Sequence, residues 1–368
     1  MAIGPESSFT MVITGGGTGG HLFPGIAVAQ EVMLRLPKAK VVFVGTERAV
    51  DQNAMAQYGF ESRAVRCGSL KGGTVTAKIK TLLGLPGSIW QSWRVLREFR
   101  PDLVLGVGGY VTGPVIVAAK MLGIATAIHE QNSIPGLANR RLGGMVDRVF
   151  VSIPGSERHF SSQRCQLSGN PLRWEILALS RQTVADSGAK LLVLGGSQGA
   201  HRLNTLVPEA IAAIVPLPCG FSIIHQTGAA DEEMVRAAYL RLGVKAEVSA
   251  FFFDMAAIYH KASLVVSRAG ATTLAELTAL GKPSILVPFP YAADDHQTKN
   301  AEALVSGGAA RMFAEEGLTA EVLGRAIKEI LTDADMLQTM GQAARSLARP
   351  DAVHTIVDMC LEMVAGKR

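Results

Sequence analysis

Two short strings hold most of the chemistry this chain can offer. Gly15-Gly16-Gly17-Thr18-Gly19-Gly20-His21 follows the apolar run Met11-Val12-Ile13 and opens a segment with Ile26, Val28, Ala29, Val32 and Met33 at helical spacing. Strand, glycine turn and helix start is the arrangement that aims backbone N–H groups at an anion. The glycines let a ligand reach the backbone and permit positive φ. His21 falls at the helix start, where a titratable ring would face whatever the loop holds. Gly195-Gly196-Ser197-Gln198-Gly199-Ala200-His201 repeats the device after Leu191-Leu192-Val193-Leu194, with Leu203, Leu206, Val207 and Ile211 beyond it. Aligned without a gap, Gly15, Gly16, Gly19 and His21 fall on Gly195, Gly196, Gly199 and His201. One glycine loop is weak evidence. Two in register predict two similar α/β domains facing a common cleft.

Other strings stand where strands end. Leu103-Val104-Leu105 leads to Gly106-Val107-Gly108-Gly109-Tyr110-Val111-Thr112-Gly113-Pro114, a further glycine turn. Ile124–Ile128 ends in His129-Glu130-Gln131-Asn132, and four polar residues straight after a buried strand are dense for chance. Leu264–Ser267 leads to Arg268-Ala269-Gly270-Ala271-Thr272-Thr273-Leu274-Ala275-Glu276, a second anion-binding candidate in the later half. Asp294-Asp295-His296-Gln297 follows the last clear strand, Ser284–Val287. Ser168-Gly169-Asn170-Pro171 marks a turn and the domain boundary. Residues 1–170 form the first domain and 171–350 the second, with a final helix at about 351–368 returning to the first.

At 368 residues the chain is long enough for two ample cores. It is 48% hydrophobic and 18% charged, with mean hydropathy +0.25. A net charge of +5 and a pI near 9.1 suggest an acidic partner: nucleic acid, anionic lipid or a phosphorylated substrate. No basic run is interleaved with aromatics, so nucleic acid ranks last. Cys67, Cys165, Cys219 and Cys360 lie far apart, without metal-ligand spacing, as in a reducing cytoplasm. Asp333-Ala334-Asp335 reads as a helix cap rather than a metal site, and neither metal nor cofactor is expected. Leu103–Ala119, a long uncharged run, is interrupted by glycines and Pro114, so no membrane span is expected. Lys78, Ile79, Lys80, Leu82, Leu83 and Leu85 mix apolar and basic residues with breakers at Gly84 and Pro86. That composition suits a surface loop in shallow contact with an anionic membrane, each basic residue adding about 1 kcal/mol. Ser88 would then cap a helix carrying Ile89, Trp90, Trp93 and Leu96.

GGGTGGHLFPGIAVA (15–29), GVGGYVTGP (106–114), HEQNSIPGLANR (129–140), SGNPLR (168–173), GGSQGA (195–200), SRAGATTLAEL (267–277) and DDHQTKNA (294–301) resemble the MurG family of peptidoglycan glycosyltransferases, in order and over nearly the whole chain. The resemblance implies a GT-B fold: two Rossmann-like parallel-sheet domains separated by a deep cleft. It implies transfer of N-acetylglucosamine from UDP-GlcNAc to the C4 hydroxyl of the muramic acid in lipid I, with inversion, giving lipid II. The setting it implies is peripheral, on the cytoplasmic face of the inner membrane, among other cell-wall synthesis proteins.

Carried over by position, the second domain is the donor half. Phe252 would meet uracil through its backbone, where other members carry an aliphatic residue. Ala271, Thr272, Thr273 and Leu274 would face the diphosphate at a helix N-terminus, and Glu276 the ribose hydroxyls. Arg173, Ser197 and Gln297 would line the donor. His296 stands where some relatives have a second glutamine. From the first domain, Thr18, Gly19, Gly20 and Asn132 would close over the donor sugar, while His21, Tyr110, Glu130 and Asn132 border the acceptor. An inverting transfer needs a base for the acceptor hydroxyl, and His21 is expected in that role, with Glu130 as the alternative. Arg268 is placed to offset the charge of the departing UDP.

Three alternatives share parts of this frame. A UDP-GlcNAc 2-epimerase would keep the donor half without needing 78–86 or 129–132. A dinucleotide oxidoreductase fits Gly15-x-Gly17-x-x-Gly20 but lacks a well-spaced ribose acid. A non-catalytic UDP-sugar-binding module would not need the polar groups the chemistry uses.

Overall fold

In a computed structural model of the chain, residues 4, 6–16, 19–46, 58–68, 75–181, 189–196, 199–216 and 220–367 are described, apart from the side chains of 75–80 and 82. They divide into two compact units, Met1–Arg173 with Pro350–Arg368, and Trp174–Arg349.

The first unit runs β1 Thr10–Gly15, α1 Gly19–Arg35, β2 Lys40–Gly45, β3 Glu61–Ala64, α2 Val75–Phe99, β4 Leu103–Gly108, α3 Thr112–Met121, β5 Ala125–Glu130, α4 Leu137–Leu142, β6 Arg148–Val151 and β7 Cys165–Leu167. The second runs α5 Trp174–Ser180, β8 Lys190–Leu194, α6 His201–Ala212, β9 Ser222–Gln226, α7 Glu232–Arg241, β10 Ala246–Ser249, α8 Met255–Lys261, β11 Leu264–Ser267, α9 Ala271–Leu280, β12 Ser284–Leu286, α10 His296–Ser306, β13 Ala310–Met312, α11 Ala320–Thr332 and α12 Ala334–Leu347. α13, Ala352–Ala365, belongs to the first unit again.

Among the described residues the first sheet has the order β3-β2-β1-β4-β5-β6-β7 and the second β10-β9-β8-β11-β12-β13. Every pairing is parallel. Parallel strands are covered on both faces, which is why β1, β4, β8 and β11 are near-continuous runs of buried Val, Leu and Ile. The strand order reverses between β1 and β4 in one unit and between β8 and β11 in the other. That reversal is where doubly wound sheets open a crevice for ligands, and the glycine strings leave from these four strands.

Three strands carry no such apolar signal. β3 (ESRA), β7 (CQL) and β13 (ARM) are short, polar or half-exposed, and each lies at a sheet edge. The stretch expected as a loop at 78–86 is helix, because α2 starts at Val75 and continues through Pro86. Ser88 is not its cap. It lies inside the helix, and its hydroxyl donates to the carbonyls of Gly84, at 3.2 Å, and Arg66. Neither bond replaces the backbone donor that Pro86 lacks, whose helical partner would be the Leu82 carbonyl four residues back.

α13 is fastened to α1 by charge. Arg35 pairs with Glu31 on its own helix and with Asp358, while His354 Nδ1 lies 2.8 Å from Glu31 Oε1. Beyond its end, Lys367 reaches Asp147 at 2.9 Å, which also accepts from Lys120 and from the Thr126 N–H. Burial alone would raise the Asp147 pKa, but these donors outweigh it and hold the carboxyl at about 2. Asp333 caps α12 through the Met336 N–H at 2.9 Å.

Candidate active site

In the first unit, the loops after β1 and β4 are packed backbone to backbone. A Cβ on Gly109 would stand 2.6 Å from the Gly16 carbonyl, and one on Gly15 would stand 2.8 Å from the Gly108 carbonyl. Gly108 and Gly109 have φ of +105° and +89°. The His21 ring rests on Gly108, where an added Cβ would come within 2.5 Å of its Cδ2. Gly108 and Gly109 therefore make room for the first loop and its histidine. Thr112 Oγ1 locks the turn by donating to the Gly108 carbonyl at 2.9 Å. Gly19 and Gly20 form the first turn of α1, which carries no acidic residue there. Tyr110, next after Gly109, is exposed.

The polar string that ends β5 and continues beyond it is mostly internal. His129, Glu130 and Gln131 are buried. Glu130 Oε1 accepts from the Asn132 N–H at 3.0 Å and its Nδ2 at 3.2 Å, and Oε2 accepts from the Gly136 N–H at 3.0 Å and Asn139 Nδ2 at 2.9 Å. Four donors on one carboxylate fasten the loop 132–139. His129 Nε2 donates to the Gly169 carbonyl at 3.1 Å and its Nδ1 accepts from Gln131 Nε2, which also donates to the Val107 carbonyl at 2.8 Å. Burial pushes the His129 pKa down to about 4, so the ring is neutral. Gln131 thus ties the β5 loop to the strand on which His21 rests. Arg173, the last residue of this unit's first segment, is buried with its guanidinium 4.4 Å from the centroid of the Phe23 ring.

In the second unit, α9 begins at Gly270, an N-cap with no side chain of its own, and its first turn holds Ala271, Thr272, Thr273 and Leu274 without an acidic residue. The Leu274 side chain is buried, so only its backbone is available to a ligand. Glu276 is buried on the same helix and accepts from the Tyr259 hydroxyl at 2.9 Å. The Phe252 N–H donates to Gln226 Oε1 at 3.0 Å, while Gln226 Nε2 donates to the Gly196 carbonyl at 3.2 Å. Gln297 Oε1 accepts from the Ala269 and Phe289 N–H groups at 3.2 and 3.0 Å, and Asn300 Nδ2 donates to the Ala269 carbonyl. Gln226, Tyr259 and Asn300 escaped the sequence reading. Gln226 carried a usable signal, being polar straight after a buried strand, as His129 is.

One expectation changes. Arg268, expected at the departing nucleotide, forms an ion pair with Glu315 and donates to the Val287 and Pro288 carbonyls at 3.1 and 3.2 Å. Its charge is already met, and it clamps the loop after β12. His201 matches His21 in the repeat but lies 3.0 Å from Asp231 as a surface pair. His296 Nδ1 lies 2.7 Å from the Ala293 carbonyl, within its own turn. Thr18 and Ser197 lie outside the described residues, as do the side chains of Lys78, Ile79, Lys80 and Leu82. Leu83 is 77% exposed on α2, and Leu85 is half-buried.

Residues 11–151 match the glycosyltransferase family 28 N-terminal domain, and residues 190–356 match the glycosyltransferase family 28 C-terminal domain. The chain is 49% identical, over 96% of both chains, to a protein of Desulfotalea psychrophila named UDP-N-acetylglucosamine–N-acetylmuramyl-(pentapeptide) pyrophosphoryl-undecaprenol N-acetylglucosamine transferase. The crystal structure of Acinetobacter baumannii MurG superposes with a TM-score of 0.76 at 28% identity, covering 97% of this chain and all of that one. A UDP-GlcNAc 2-epimerase from Neisseria meningitidis reaches 0.68 over 97% of this chain and all of its own, but at 15% identity it shares the fold alone. With family models on both units and a named transferase matched end to end, the chain belongs to glycosyltransferase family 28, in the branch of the UDP-N-acetylglucosamine–N-acetylmuramyl-(pentapeptide) pyrophosphoryl-undecaprenol N-acetylglucosamine transferases.

Proposed function

We infer that the chain transfers N-acetylglucosamine from UDP-GlcNAc to the muramic acid C4 hydroxyl of lipid I, with inversion, giving lipid II. It is a UDP-GlcNAc-dependent glycosyltransferase, and the observation that carries this is 49% identity along 96% of both chains to a transferase so named. The division of roles between residues is our reading of the two units. The second unit takes the donor. Phe252 meets the base, Glu276 the ribose and Gln297 the sugar. The first turn of α9, with Thr272 and Thr273, meets the diphosphate through N–H groups and dipole.

The first unit takes the acceptor. His21 accepts the C4 hydroxyl proton as that oxygen attacks the anomeric carbon. The bond from this carbon to the diphosphate breaks, and its electron pair leaves with UDP. Glu130 is less suited to the base role, because four donors already hold its oxygens. A positioned base of this kind contributes about 10²–10⁴-fold. Asn132 and Tyr110 border the acceptor, and Arg173 and Gly20 line the donor.

The membrane reading rests on α2. Leu83 and Trp90 are 77% and 57% exposed, and the Arg94 guanidinium lies 4.9 Å from the Trp90 ring centroid. Apolar side chains beside cations suit an anionic lipid surface, and no described helix is long and apolar enough to cross a membrane. Purified protein, labelled UDP-GlcNAc and a lipid I analogue test the whole reading. Label passes to the lipid and UDP appears only with acceptor present. UDP release without acceptor, accompanied by an epimerised sugar, would contradict it. Binding to anionic vesicles that survives Leu83→Asp with Trp90→Asp would sink the membrane assignment.

A further inference from the structure

We propose that Tyr259 is a positioning residue for nucleotide binding, its hydroxyl setting the orientation of the Glu276 carboxylate that takes the ribose. This rests on the reading of the second unit as the donor half. Tyr259 is 1% exposed and Glu276 6%, so both groups sit where bulk water does not compete. The phenol donates to Glu276 Oε2 at 2.9 Å. A hydroxyl donating to an ionised carboxylate is a charge-assisted bond, roughly twice as strong as a neutral one. A carboxylate accepts two vicinal hydroxyls best in its own plane, and an oxygen pinned by a buried phenol fixes that plane before the nucleotide arrives.

The phenol is itself fixed. It lies on α8, which starts straight after the loop carrying Phe252 and is capped by Asp254 Oδ1 accepting from the Ala257 N–H at 3.0 Å. Gln226 in turn holds the Phe252 N–H. The stretch from Phe252 to Tyr259 therefore joins the base-recognition loop to the ribose carboxylate through little more than one turn of helix, so the two recognition elements are set as one piece.

The test uses the full chain and compares UDP with 2′,3′-dideoxy-UDP, which lacks the ribose hydroxyls, by calorimetric titration. Tyr259→Phe removes one hydroxyl and keeps the ring. It is expected to weaken UDP binding about 5–10-fold, to leave dideoxy-UDP binding unchanged, and to raise KM for UDP-GlcNAc without lowering kcat. Adding Tyr259→Phe to Glu276→Ala is expected to cost nothing more. The ratio of the two affinities is measured within one sample, so a loss of folded protein does not alter it. If Glu276→Ala loses the preference for UDP but Tyr259→Phe keeps it in full, the positioning role is wrong. If Glu276→Ala itself keeps the preference, the assignment of ribose binding to Glu276 fails instead.

Discussion

His21 and Glu130 sit close in chemistry but far apart in what surrounds them. His21 is half-buried against a glycine at a helix start, whereas Glu130 is the hub of a loop. The two variants should therefore fail differently. His21→Gln is expected to lower kcat about 10²–10⁴-fold with little change in thermal midpoint. Glu130→Gln turns a pure acceptor into a half-donor, so whichever way the amide lies, its NH2 faces N–H groups. That conflict costs about 1–3 kcal/mol, which at this size lowers the midpoint by several degrees. Parallel kinetics and thermal melts check both. A Glu130→Gln protein that melts like the parent but turns over as slowly as His21→Gln would reverse the assignment. In the second unit, His225 shows the same economy as His129. It lies between the Tyr239 hydroxyl at 2.9 Å and Asn204 Oδ1 at 3.1 Å, and burial pushes its pKa down to about 3.

At the scale of elements, the loops after β1 and β4 behave as one object, because Gly15, Gly16, Gly108 and Gly109 pack without side chains between them. Gly108→Ala forces an L-residue to φ +105° and drives its methyl into the His21 ring. The expected result is a kcat at least tenfold lower with KM for UDP-GlcNAc unchanged, measured at saturating acceptor. A variant with normal kcat would separate the two loops. The central strands and their glycine turns could be read in advance because parallel strands covered on both faces are written in Val, Leu and Ile. The edge strands could not, since Glu61–Ala64, Cys165–Leu167 and Ala310–Met312 bury little and show no period. The start of α2 was hidden by Gly84 and Pro86, breakers that the helix nonetheless runs through from Val75. At the candidate site, the strings proposed to hold anions and ribose were legible as glycine turns and a helix start after buried strands. The ties that aim them were not, because Tyr259 to Glu276 and Gln226 to Phe252 join residues distant in sequence whose pairing only the fold decides. The ion pair of Arg268 was hidden for the same reason, as its partner Glu315 lies far along the chain.

For the whole molecule, burying two neutral histidines makes both units acid-sensitive in the same range. The pKa of His129 drops from 6.5 to about 4 and that of His225 from 6.5 to about 3. Below pH 6.5 the unfolded chain takes up protons that the folded chain refuses. Stability is therefore full above that pH and is lost as pH falls towards 4, by about 2 kcal/mol per histidine between pH 7 and 5. Asp147, held at about 2 against an ordinary 3.8, adds its loss only below that window. Urea unfolding at pH 7 and pH 5 checks this, and a flat response would contradict it. The central claim is that the second unit holds the nucleotide-sugar, and hydrogen exchange with and without UDP-GlcNAc tests it most directly. The account predicts slowed exchange across 268–276 and the 250–254 loop. Slowed exchange confined to 15–21, with 268–276 unchanged, would contradict it.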